Sequence, residues 1–135
     1  MQIVKDKLLT VAFISVILLW LLNWVAGILS LYWTVWWFDN IAHFFGGLTL
    51  GLVSFWGFKQ IHSFKQEPTL KNIILITVLL AFVAGFGWEV FETLNNISDD
   101  FTGETYWQDT IYDLIGVILG GVVSAVFIYK KKLYG

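Results

Sequence analysis

The chain has 135 residues, of which 58% are hydrophobic and 13% charged, with one proline, eight tryptophans, no cysteine and a formal net charge of −2. A water-soluble domain carries roughly a quarter of its residues charged, so this composition excludes one and makes the bilayer the solvent. Without cysteine there is no disulfide framework, thiolate metal site or cysteine nucleophile, and no nucleic-acid partner is expected.

The first apolar stretch covers about 8–31, preceded by Lys5 and Lys7 and containing Asn23. Its apolar run greatly exceeds the roughly 7 to 15 residues of a signal-peptide core, so it is expected to remain as an anchor. The second stretch, 36–58, opens on Asp39 and His43 and continues through Gly47, Gly51 and Ser54. Lys59, His62, Lys65 and Lys71 follow, with His62 read as a solvated loop histidine. The third, 72–94, carries Ala81, Gly85, Glu89 and Glu92. The connection after it holds Asp99, Asp100 and Glu104, together with Asn96, Ile97 and Ser98, which match a glycosylation sequon relevant only to a eukaryotic secretory route. The fourth, 107–129, carries Asp109, Asp113, Gly116, Gly120 and Ser124. Lys130, Lys131 and Lys132 close the chain as a topology anchor, with attraction to anionic lipid as a side effect.

At 1.5 Å rise per residue each stretch crosses a hydrocarbon core of about 30 Å. The expected architecture is therefore all-α, a polytopic four-transmembrane-helix bundle forming a single domain over 1–135, with no internal repeat. All eight basic residues are lysines, and all lie before the first helix, between the second and third, or after the fourth. With an even number of spans these regions share one side, which the positive-inside rule assigns to the cytoplasm, so both termini are expected inside. Tyr32, Trp33, Trp36, Trp37, Trp88, Tyr106 and Trp107 then gather at the outer ends and read as an interfacial aromatic belt.

Ionisable residues inside spans are costly and are functional candidates by default. Asp39 and His43 are four apart, Glu89 and Glu92 three apart, Asp109 and Asp113 four apart, so each pair shares one helical face. The topology brings all three pairs to the outer end, where His43, Glu89 and Asp113 lie roughly 8 to 10 Å deep, with Asn23 at a similar level. Below them run small residues at four-residue spacing, the pattern by which membrane helices approach closely, so the three polar stripes should face one another. Five carboxylates and one histidine then share a desolvated region with no arginine or lysine on the same side. Such a cluster must take up protons or bind a cation. Carboxylate oxygens and an imidazole suit a divalent metal ion, so Asp39, His43, Glu89 and Asp113 are the candidate metal ligands. Glu92 and Asp109, nearer the surface, are candidates for acid–base catalysis, and they equally suit solvated helix ends. The competing structural reading treats the acids as hydrogen-bond glue, but such bonds average only about 0.6 kcal/mol in membranes, a small return for six buried ionisable groups.

The run Phe38, Asp39, Asn40, Ile41, Ala42, His43, Phe44, Phe45, Gly46, Gly47, then Gly87, Trp88, Glu89, Val90, Phe91, Glu92, then Asp109, Asp113 and Gly116, resembles the small bacterial membrane proteins of the VanZ-like and YjdF-like type. The resemblance covers about 36–125 and omits most of the first helix. It implies a bacterial cytoplasmic membrane and a functional acidic site without defining a reaction; the VanZ-like group is associated with glycopeptide-antibiotic resistance and the cell envelope. The arginine expected near the last helix of VanZ-like proteins is missing, which makes the YjdF-like side the closer one.

Three functions compete. The first is a metal-dependent activity on a lipid or cell-envelope precursor at the outer leaflet. The second is a cation- or proton-coupled transporter, weakened by inner half-stripes that offer only glycine, alanine, serine and threonine. The third is a binding or assembly module with a structural polar cluster.

Overall fold

Asp6 starts the first helix by accepting hydrogen bonds from the backbone N–H groups of Leu8 (2.9 Å) and Leu9 (3.3 Å), which satisfies donors that a helix start leaves orphaned. This computed structural model describes residues 6–62, 64, 66–95 and 106–135, without the side chain of Tyr106. Lys5, Lys65, Asp99, Asp100, Glu104 and the Asn96 to Ser98 sequon lie outside the described residues. The elements are α1 (Lys7–Ile28), α2 (Leu31–Thr34), α3 (Phe38–Ile61), α4 (Leu70–Asn95) and α5 (Tyr106–Lys130). Among the described residues, α1, α3, α4 and α5 are long and apolar enough to cross a membrane.

The observed spans follow the expected ones with two instructive departures. The first expected span continues to 31, whereas α1 ends at Ile28 and the chain turns through Ser30 in the left-handed region (φ 54) into the single turn of α2. Leu29 N–H still bonds Val25 O and Ser30 N–H bonds Gly27 O, so the helix closes its own carbonyls before reversing direction. Hydropathy cannot register this reversal, because the residues on both sides of it are equally apolar. At the other end of the bundle α4 begins at Leu70, two residues early. There the Thr69 hydroxyl accepts from Asn72 N–H at 3.3 Å, and Pro68 just before it cannot continue a helix backwards.

Helices α3, α4 and α5 pack against one another, and α1 lies on α3. The tightest seam joins α3 to α5. A Cβ at Gly47 would lie 2.6 Å from Val117 Cα, and one at Gly120 would lie 2.5 Å from Leu48 N. Only glycine lets the two backbones meet in this way, as the stripe of small residues led one to expect. Helix α4 joins through a narrow stripe of Ile73, Thr77, Ala81, Gly85 and Glu89, all buried, and the Thr77 hydroxyl donates to Gly121 O of α5 at 3.1 Å. By contrast α1 is buried only at Leu8, Ala12 and Ala26. Its outward face carries Trp20 and Trp24, stacked with ring centroids 6.2 Å apart and largely exposed.

The starts and ends of these helices sort by charge. Lys59 at the end of α3 lies 3.7 Å from Asp6 and donates to Gly135 O at 2.9 Å, so the start of α1, the end of α3 and the chain end after α5 meet at one end of the bundle. The Leu8, Ala12, Leu52, Phe55, Ile73, Ala125, Ile128 and Leu133 core sits at this lysine end. A smaller core of Ala26, Phe38 and Ala42 sits at the opposite one. Trp33, Trp36, Trp37, Trp88 and Trp107 are exposed there, as an aromatic belt requires.

Candidate functional site

His43 is the centre of the opposite end. It lies one helical turn after Asp39 on α3, and its imidazole faces carboxylates from three helices. Nε2 lies 3.6 Å from Asp39 Oδ1 and 3.7 Å from Asp113 Oδ2 of α5, while Nδ1 lies 4.0 Å from Glu89 Oε1 of α4. The ring therefore divides the acids into two sets, one at each nitrogen. On the Glu89 side the set is His43, Glu89 and Glu92; on the other it is Asp39, His43 and Asp113. Within each set one ligand atom per residue lies within 4.8 Å of the others.

The fold explains why these side chains converge. Close approach of α3 and α5 at Gly47 and Gly120 leaves no room for side chains below, so the rows above inherit the same facing geometry. Gly116, one turn below Asp113, sits against the Asn40 carbonyl and the His43 side chain, and this holds Asp113 to the imidazole. On α4 the buried stripe ends at Glu89, which brings its carboxylate to the same layer.

The layer is buried, and three polar atoms in it make no hydrogen bond. Asp113 is 1% exposed and Glu89 5%, and Asp113 Oδ1, Glu89 Oε1 and Thr110 Oγ1 are buried without a hydrogen bond. The Thr110 hydroxyl lies beside the Glu89 carboxyl without reaching good hydrogen-bond geometry. Native structures pair most buried polar atoms, so three unpaired atoms in one layer mark it as unusual. The separations carry the same message. Distances of 3.6 to 4.0 Å are too long for hydrogen bonds of about 2.7 to 3.2 Å. Donor atoms bonded to one ion at about 2.0 to 2.2 Å stand roughly 3 to 3.6 Å apart, so the spacing is close to that of a ligand shell.

Of the residues singled out from the sequence, Asp39, His43, Glu89 and Asp113 are brought together, and Glu92 joins them on the Glu89 side. Asp109 is half-buried on the same face of α5 and within electrostatic reach of His43, but it belongs to neither ligand set. Asn23 does not join the layer: it is exposed on α1, its amide donating to Leu19 O and its carbonyl accepting from the Tyr32 hydroxyl. Tyr32 likewise departs from the belt. It is half-buried, stands edge-on to Phe38 with centroids 5.0 Å apart, and lies on the flank of the acids. Burial first, and then the nearby Asp39 and Glu92 charges, push its phenol up to about 12. Thr110 was missed because threonine carries no chemistry of its own; its spacing of three from Asp113 was the available signal.

A family model described as Predicted membrane protein (DUF2238) matches residues 4–132. This is the YjdF-like side of the resemblance, and it lends nothing to the VanZ-like name. No curated protein and no solved structure matches the chain.

Proposed function

We propose that this chain, which belongs to the DUF2238 family of predicted membrane proteins, binds a divalent metal ion at His43 and uses it on a lipid or cell-envelope precursor at the outer leaflet of a bacterial cytoplasmic membrane. The observation that carries the reading is the set of carboxylates of Asp39, Glu89 and Asp113 arranged about one imidazole in a buried layer, where Glu89 Oε1 and Asp113 Oδ1 make no hydrogen bond. Asp39, Asp113 and the His43 Nε2 form the ligand set with two carboxylates on one nitrogen. Glu89 then faces the other nitrogen at 4.0 Å, and by closing to hydrogen-bond distance it would take the Nδ1 proton and fix the tautomer that presents a lone pair at Nε2. An ion bound there supplies Lewis acidity toward a phosphoryl or carbonyl group. Glu92, half-buried beside Glu89, is placed to accept a proton from an incoming nucleophile, and Asp109 to return one to the leaving group.

Two features favour this over transport. The base of the site is closed by backbone contact between Gly47 and Val117, and the core at the lysine end is apolar. The lysines at the far end support a cytoplasmic location for both termini under the positive-inside rule.

Elemental analysis of detergent-purified protein tests the proposal. The expected result is a stoichiometric divalent metal that disappears in His43→Ala and Asp113→Asn. Metal-free wild type whose thermal stability ignores added divalent ions would overturn it, and activity loss without metal loss would favour an assembly module.

A further inference from the structure

The lysine end holds a second feature, independent of the acidic site. Helix α5 ends in a tight turn: Lys132 N–H bonds Tyr129 O at 3.1 Å and Leu133 N–H bonds Ile128 O at 3.0 Å, with Lys132 at φ 50. This is a Schellman closure with lysine where glycine is usual, a left-handed conformation that L side chains disfavour. The turn folds Leu133 back onto Leu8 and Ala12 of α1. It leaves a groove of about 390 Å3 between the start of α1 and the end of α5, lined by Lys7, Thr10, Val11, Phe127, Lys131 and Leu133. A neighbouring hollow of about 360 Å3, reached past Lys7 and Leu133, adds Lys59 and Lys132.

Charge in the groove is unbalanced toward positive. Asp6, which lines the neighbouring hollow, is already engaged by Lys59 and by the backbone of Leu8 and Leu9. Lys7 stands in the first turn of α1, where the helix dipole disfavours a cation, so helix stability does not account for it. The groove also lies at the first residue of the α1 span and just past the last of the α5 span, the level at which helices that cross a bilayer meet its phosphates. Its floor is apolar, and beyond it α1 has no buried residue between Ala12 and Ala26, which leaves α1 open to an acyl chain.

We infer that this groove binds an anionic glycerophospholipid, its phosphate between Lys7 and Lys131 and its chains along the open side of α1. A bare phosphate ion would use the lysines and leave the apolar floor uncovered.

Native mass spectrometry and thermal-shift measurements on purified full-length protein test this, with phosphatidylglycerol, phosphatidylcholine and inorganic phosphate as probes. Phosphatidylglycerol should be retained and should raise the melting temperature, whereas the other two should do neither. Lys7→Gln with Lys131→Gln should weaken retention by roughly fivefold per lysine; Lys7→Arg with Lys131→Arg should preserve it; and Lys71→Gln, outside the groove, should match wild type. Equal retention of phosphatidylcholine, equal stabilisation by phosphate, or an equal loss in Lys71→Gln would overturn the site. Retention is read without metal, so its failure leaves the His43 proposal untouched.

Discussion

At the lysine end, Lys59 reaches Asp6 at 3.7 Å and the carbonyls of Gly135 and Leu133 at 2.9 and 3.5 Å, while Asp6 caps α1. At the acidic end, carboxylates of Asp39, Glu89 and Asp113 surround a single imidazole, and two of their oxygens have no partner. At one end a lysine and an acid pair with each other, Lys59 with Asp6; at the other, acids from three helices gather about one histidine. The lesson is about solvent. The lysine end meets water and lipid headgroups, where an ion pair is worth little and is cheap to arrange. The acidic end is buried, where like charges are costly, so such a cluster must take up protons or bind a cation.

The contrast can be broken most severely at its mechanical base. Gly47→Val puts side-chain atoms into the Val117 backbone, an overpacking that no rotamer relieves; loss of monodisperse, helical protein is expected in size-exclusion chromatography and circular dichroism. Asp113→Asn acts at the site alone. Wild type should gain about 2.7 kcal/mol in melting experiments with a divalent ion at a hundred times Kd, and the variant should gain nothing; a variant that responds like wild type would remove Asp113 from the site. Glu89→Gln should keep the metal but bind it about 10- to 100-fold more weakly, read by competition with a chelating dye. At the lysine end, Lys59→Met should cost no more than about 1 kcal/mol in denaturant or heat, because both partners are partly exposed. The smallest effect belongs to Tyr32. Its folded phenol keeps its proton from the ordinary value of 10.0 up to about 12, so the stability it confers is present below pH 10 and lost as pH rises toward 12. Tyr32→Phe should delete one late step from the tyrosinate absorbance titration.

Much of this was legible in the sequence. Long apolar runs with lysines at alternate junctions gave the spans, and stripes such as Asp39, His43, Gly47, Gly51 gave the facing sides, because both signals are one-dimensional periodicities. What was not legible depends on angles that periodicity does not contain. Which nitrogen of His43 faces which acid follows from a ring orientation set by three helices. Thr110 is silent until burial leaves its hydroxyl without a partner. Tyr32 leaves the aromatic belt because the left-handed turn at Ser30 swings α2 toward Phe38. The terminal turn was hidden because lysine, not glycine, occupies its left-handed position.

The mooring of α1 at only Leu8, Ala12 and Ala26 makes its middle section a natural place for reporters. Trp20 and Trp24 stack on the lipid side, so their emission, quenched by labels at known depths in the acyl chains, would measure how far the whole bundle sits in a bilayer without altering any contact that holds the site together.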